Sequence, residues 1–185
     1  MINDTLRQTA GKMDRTVEVA AEEFAGIRTG RANAGMFSGI LIDYYGAPTP
    51  LQQLASITIP EARTVLVTPY DKSAMAGIER TLRDSDIGAN PSDDGTTIRL
   101  VLPELTSERR REYVKLAHKK AEEARVAVRA CRHKAREQLG KLEKSGEAGE
   151  DQVARAEKEL ESITKKHIAR IDDLLSHKEA ELLEV

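Results

Sequence analysis

From Thr106 to about Lys144, small or apolar residues recur at Val114, Ala117, Ala121, Ala124, Val128, Cys131, Ala135, Leu139 and Leu142. The steps are threes and fours, which predict one buried stripe along a single long helix. No Pro interrupts the run and its first Gly is Gly140, so the helix would reach roughly 58 Å at 1.5 Å per residue. Cations keep the same rhythm at Arg111, Lys115, His118, Arg125, Arg129, Arg132 and Arg136, with Glu122 as the one interruption. At about 100° per residue this second row is expected nearly opposite the seam, facing outward.

Two further amphipathic patterns flank this element in the chain. In Ile2 to Ile27, Leu6, Met13, Ala20 and Ile27 form one seven-residue series, with Ala10, Val17 and Phe24 interleaved. That is a heptad seam, closed by Thr29-Gly30 where Gly is free to take the left-handed turn. Beyond the Ser145–Gly149 turn, Val153, Ala156, Leu160, Ile163, Ile171, Leu174 and Leu182 mark the apolar side of a third helix. Three narrow seams are satisfied together as an antiparallel bundle, which also uses them internally and predicts a monomer.

Between the first and second helices the pattern changes period. All six prolines lie from Pro48 to Pro103, and four of the six aromatics from Phe37 to Tyr70. Gly39–Tyr45 reads as a strand, Gly46–Pro50 as a turn, and Leu54–Ile59, Thr64–Thr68 and Thr96–Leu102 as further strands. Lys72–Asp84 reads as a short helix burying Met75, Ile78 and Leu82, and Asp86–Gly95 as a polar loop. The predicted class is therefore α+β: residues 1–29 and 106–185 form a long three-helix bundle, and residues 30–105 form a small α+β domain inserted into it. Two side-by-side linkers, Gly30–Arg31 and Pro103–Glu104–Leu105, are expected to act as a hinge.

Charge sharpens this picture because its distribution is uneven. The net charge is only −2, yet residues 105–142 carry twelve Lys/Arg against five Asp/Glu, while residues 143–185 carry seven against twelve. A basic helix within a near-neutral chain keeps nucleic acid among the candidate partners. Arg125, Arg129, Arg132 and Arg136 stand at steps of four, three and four, and the planar guanidinium suits phosphate. Enzyme signatures are scarce: no phosphate-binding Gly loop, no paired-Cys metal site and no nucleophile elbow. No cofactor is expected. His167 lies near a seam and reads as a satisfied boundary residue, and Cys131 as a buried small apolar one. A single Cys excludes an intrachain disulfide, and no stretch approaches the ~20 apolar residues of a membrane span, so a cytoplasmic protein is expected. On these grounds alone, an RNA-binding helical bundle and a coiled-coil scaffold both remain open.

Several local strings narrow the choice. Ile27-Arg-Thr-Gly-Arg-Ala32, Tyr44-Tyr-Gly-Ala-Pro-Thr-Pro50, Gln53-Leu-Ala-Ser56, Asn90-Pro91, Leu105-Thr-Ser-Glu-Arg-Arg110, Ala127-Val-Arg129 with Arg132, and Lys178-Glu-Ala-Glu-Leu182 together resemble bacterial ribosome recycling factors over the whole chain. The resemblance implies an L-shaped molecule with a two-strand hinge. It also implies a non-enzymatic factor that binds the post-termination ribosome and, with elongation factor G and GTP, splits it into subunits. The bundle would lie against large-subunit rRNA, with Arg28, Arg129 and Arg132 as contacts and Arg125 and Arg136 in support. One departure stands out: the family pattern Val-Arg-Asn-x-Arg-Arg is here Val128-Arg-Ala-Cys-Arg-His133.

Overall fold

A computed structural model describes residues 1–184 and divides the chain into two compact units, residues 1–24 with 114–185, and residues 25–113. The boundaries thus lie five and eight residues away from those expected at 29/30 and 105/106, and both linkers fall within the smaller unit.

In the first unit three helices run side by side: α1 (Ile2–Ala25), α4 (Ser107–Lys144, from Val114 onward) and α5 (Glu150–Leu183). Leu6 meets Ala135 and Leu139 near one end, while Glu23 meets Lys120 near the other, so α1 runs antiparallel to α4. The short turn at 145–149 then reverses the chain into α5, where Gln152 Oε1 accepts from the Gly149 N–H at 3.0 Å and satisfies one of the donors left open at a helix start.

The burial cycle differs from the heptad expected for α1. The buried positions are Leu6, Thr9, Met13, Val17, Ala20 and Phe24, with Thr9 replacing Ala10. In α5 they are Val153, Ala156, Leu160, Thr164, His167, Ile171, Leu175, Lys178 and Leu182, so that Thr164 and Leu175 replace Ile163 and Leu174. Steps of three, four and four repeat every eleven residues in both helices. Eleven residues make three turns of about 3.67, close to the intrinsic 3.6, whereas a strict heptad drifts ~20° per repeat. The polar entrants are reconciled locally: Thr9 and Thr164 each donate a hydroxyl back to the carbonyl four residues earlier, at 2.7 and 2.8 Å. Cys131 is only half-buried, at the rim of the seam rather than within it.

The second unit is built on a different plan. A two-stranded ribbon pairs β1 (Leu41–Tyr44) with β2 (Ala47–Pro50), and a one-turn helix, α2 (Leu51–Leu54), follows. A four-stranded antiparallel sheet has the order β3 (Ala55–Glu61), β4 (Thr64–Pro69), β6 (Ile98–Val101), β5 (Pro91–Asp93), with α3 (Met75–Asp84) packed against it. The expected turn at Gly46–Pro50 is in fact a strand. The reversal is confined to Tyr45 and Gly46, both with positive φ (50° and 81°), the geometry of a two-residue hairpin turn. Pro48 and Pro50 are tolerated because they stand two residues apart, so both missing N–H groups fall on the same, unpaired side of the ribbon. Pro91 is likewise on an edge strand, hidden within the stretch expected as loop.

Phe37, Ile42, Leu51, Ile78, Leu82, Ile98, Leu100 and Leu102 are all at most 1% exposed and form one core. Both linkers are tied to the turn between β3 and β4. The Ala32 N–H donates to the Ala62 carbonyl and the Leu102 N–H to the Arg63 carbonyl, each at 2.7 Å.

Candidate nucleic-acid interface

Each ridge cation follows a seam position by one residue: Ala124 precedes Arg125, Val128 precedes Arg129, Cys131 precedes Arg132 and Ala135 precedes Arg136. One residue is 100° of rotation, so the row lies beside the seam and not opposite it. That corrects the expectation of an outward ridge. The row borders α5, whose carboxylates meet it in antiparallel register. His118 faces Glu179 at 3.4 Å and Arg125 faces Asp172 at 2.7 Å, seven residues along each helix; Arg132 faces Glu161 at 3.6 Å and Arg136 faces Glu157 at 3.1 Å, four residues along each. All four arginines therefore have a carboxylate of their own chain within ion-pair distance.

They are not held equally. Arg125 is 20% exposed and is gripped by two carboxylates, Asp172 and Glu122. Burial works to lower its pKa, yet the hydrogen bonds to Asp172 and then Glu122 outweigh it and raise the value. Glu122 bridges to Arg129 at 3.0 Å, and hydrogen bonds from Arg125 first and Arg129 second hold its carboxyl below the usual range. Arg129, Arg132 and Arg136 are 47%, 38% and 70% exposed, and each meets a single carboxylate among the described residues. The Arg132 contact is the longest and is not a hydrogen bond by its distance. A guanidinium has five N–H donors, so a single partner leaves most of the fork open. Arg125 is thus a cross-brace between α4 and α5; the other three remain competent to meet phosphate. Arg111 and Lys115, the outermost members of the row, are exposed and carry no ion pair among the described residues.

Arg28 belongs to the second unit and does something else. Its Nη2 donates to the Pro103 carbonyl at 3.4 Å, joining the two linkers, and its Nη1 lies 3.1 Å from where a Cβ on Gly88 would stand. Its Nε is buried with no hydrogen-bond partner. Arg28 is half-buried, and its bond to Pro103 makes it a brace between the linkers.

The expected hinge residues are braced as well. Gly30 has φ +84°, where an L side chain is strained, and an added Cβ would come within 3.4 Å of Leu105 Cγ. The Arg31 N–H approaches Thr29 Oγ1 at 3.4 Å, Pro103 accepts from Arg28, and Glu104 lies 3.7 Å from Arg63.

His167 is the satisfied boundary residue its position predicted. It is 7% exposed, with Nδ1 2.7 Å from the Ile163 carbonyl and Nε2 2.7 Å from Asp14 Oδ1. Arg170 joins Asp14 at 2.9 Å, so one α1 carboxylate ties two α5 side chains. The His167 hydrogen bond is the largest influence and lowers the Asp14 pKa; burial opposes it, and the hydrogen bond from Arg170 adds to the lowering. This triad escaped the sequence reading because its members stand 153 and 156 residues apart.

The fold and this surface define a class: a two-unit α+β protein with, among the described residues, no helix long and apolar enough to cross a membrane, presenting a basic helix edge on a three-helix bundle. The family model for ribosome recycling factor matches residues 20–183. Ribosome-recycling factors of Beutenbergia cavernae and Kineococcus radiotolerans are 66% and 61% identical over 185 residues, covering both chains completely. A solution structure of a ribosome recycling factor superposes with TM-score 0.82 at 38% identity, over 100% of this chain and 98% of that one. A T. thermophilus ribosome recycling factor, described with E. coli elongation factor G bound to the E. coli post-termination complex, gives 0.71 at 40% identity over the full length of both chains. The chain belongs to the ribosome recycling factor family. Membership sets the coiled-coil scaffold aside in favour of a ribosome recycling factor.

Proposed function

We propose that this protein binds the post-termination ribosome through its bundle and, with elongation factor G and GTP, separates the subunits in the cytoplasm without catalysing a reaction itself. The observation that supports an rRNA contact is the unequal pairing along α4. Arg129, Arg132 and Arg136 keep open guanidinium edges, whereas Arg125 does not. An exposed ion pair is worth roughly 0–1 kcal/mol, so a phosphate can replace the carboxylate at little cost. Arg132, held least closely, is the first candidate. Ala130 and His133 lie within this run, and His133 is 3.3 Å from Glu137 instead of adding an arginine to the row.

Elongation factor G would act on the smaller unit. Tyr45 is a candidate contact there: it is 82% exposed, holds a left-handed backbone at the tip of the β1–β2 ribbon, and stacks edge-on with Tyr44 at 4.6 Å. The linkers Gly30–Arg31 and Pro103–Leu105 would serve as the hinge, braced by Arg28 and the β3–β4 turn. The bundle seams are used internally, so we expect sedimentation as a monomer.

The test is Arg132→Ala in a subunit-splitting and ribosome-binding assay. Binding should weaken by about tenfold, the loss of one charged phosphate contact, with the thermal melt nearly unchanged. Unaltered binding with a large loss of stability would make Arg132 structural. Gly30→Val, which forces a β-branched side chain to φ +84° against Leu105, should impair splitting more than binding. Normal splitting by that variant would remove the hinge from the mechanism.

A further inference from the structure

Two carboxylates of α5 already occupy guanidinium edges of the ridge that a phosphate would need. Glu157 Oε1 is 3.1 Å from Arg136 Nε, Glu161 Oε1 is 3.6 Å from Arg132 Nη1, and both acids are half-exposed on α5. The same open surface depression on the α4/α5 side is lined by Arg132, Arg136, Glu157, Glu161 and Lys158. Two arginines and two carboxylates alternate across one depression, and the whole chain is at −2. We propose that Glu157 and Glu161 are specificity determinants: intramolecular stand-ins for phosphate that keep the ridge from binding nucleic acid at large and yield only to RNA whose phosphates are already fixed in place. The inference rests on the rRNA reading of the ridge.

The physical reason lies in what each competitor must give up. A flexible single strand must order its backbone and also displace two tethered carboxylates, which are present at high effective concentration. Folded RNA has lost that backbone freedom beforehand, so it meets only the displacement. Once displaced, Glu157 and Glu161 still repel: phosphates already fixed on the guanidinium edges hold clear of them, whereas a flexible strand must give up further freedom to do so, and the charge costs the strand more. A repulsive element that weighs more on the wrong ligand raises the ratio of the two affinities.

The stated roles separate in one experiment on the full-length protein. Glu157→Gln/Glu161→Gln keeps side-chain size and an acceptor oxygen while removing both charges; Glu161→Gln alone serves as the second variant. Affinity is read by fluorescence anisotropy for a labelled 20-nucleotide poly(U) strand and, in parallel, for large ribosomal subunits at the same ionic strength. Removing two charges within a Debye length of the bound phosphates should strengthen poly(U) binding about tenfold in the double variant, and less in the single one. Subunit affinity should change by no more than about threefold, so discrimination falls. Unchanged poly(U) affinity, or weaker subunit binding by the glutamine variants, overturns the proposal. Arg132→Ala keeps the two readings distinguishable. If it weakens subunit binding while the glutamine variants leave poly(U) affinity unchanged, only the stand-in role fails; if it leaves subunit binding unchanged, the ridge reading fails with it.

Discussion

The bundle and the smaller unit hold themselves together by opposite means. The smaller unit closes a bulky apolar core, with Phe37, Ile78, Leu82 and Leu100 shielded from solvent, and fastens its linkers by backbone hydrogen bonds. The bundle seam on α4 is mostly alanine, at Ala117, Ala121, Ala124 and Ala135. Its helices are cross-linked at the margins by ion pairs: Asp14 to His167 and Arg170, Glu23 to Lys120, and four α4 side chains to α5. Small seam residues bury little area each, so the bundle spreads its stabilisation over length, whereas the smaller unit concentrates it in a few side chains. The difference also means that part of the cationic row on α4 is directed at α5.

The contrast can be broken most forcefully in the smaller unit. Ile78→Ala removes a fully buried side chain and should cost about 2–5 kcal/mol, seen as an early transition of that unit in chemical denaturation. A loss below about 1 kcal/mol would mean the core is not concentrated as described. Next in size is Arg125→Ala in the bundle. It strands Asp172 and Glu122 beside the seam and should lower bundle stability by roughly 1 kcal/mol, while Arg132→Ala stays within about 0.5 kcal/mol. Equal effects from the two substitutions would erase the distinction between brace and contact.

The smallest effect concerns acid. Asp14 titrates below its ordinary 3.8 because His167 and Arg170 favour its ionised form. A depressed carboxylate stabilises the fold fully above its unfolded pKa, and that contribution begins to be lost near 3.8 and is gone once pH has fallen through the lower folded value. Asp14→Asn should flatten the acid limb of the stability profile in that window and lower stability slightly near neutrality. An identical acid limb in both proteins would show that the triad contributes nothing to the bundle.

Much of the fold could be read from periodicity. The start of α4 is displaced by one residue from the expected Thr106, and α3 buries Met75, Ile78 and Leu82 as its spacing requires. Errors arose where one local rule met another. Pro48 and Pro50 signal a turn, yet an unpaired strand edge accepts them. Ala10 fits a heptad better than Thr9, yet a straighter helix brings Thr9 inward, where its hydroxyl finds a carbonyl. The contact of Arg28 with Pro103 had no local signal, since the two stand 75 residues apart in the chain.

Helical periodicity alone determined that α4 carries two parallel rows, and the one-residue offset between them already set a quarter-turn separation. Which way the cationic row faces, and what answers it, depended on the antiparallel docking of α5. Spacing along one helix is a local property of the backbone, whereas the approach of Asp172, Glu161 and Glu157 requires two helices to pack in a particular register. That register is chosen by the seams, and only the packed bundle reveals which arginines remain open.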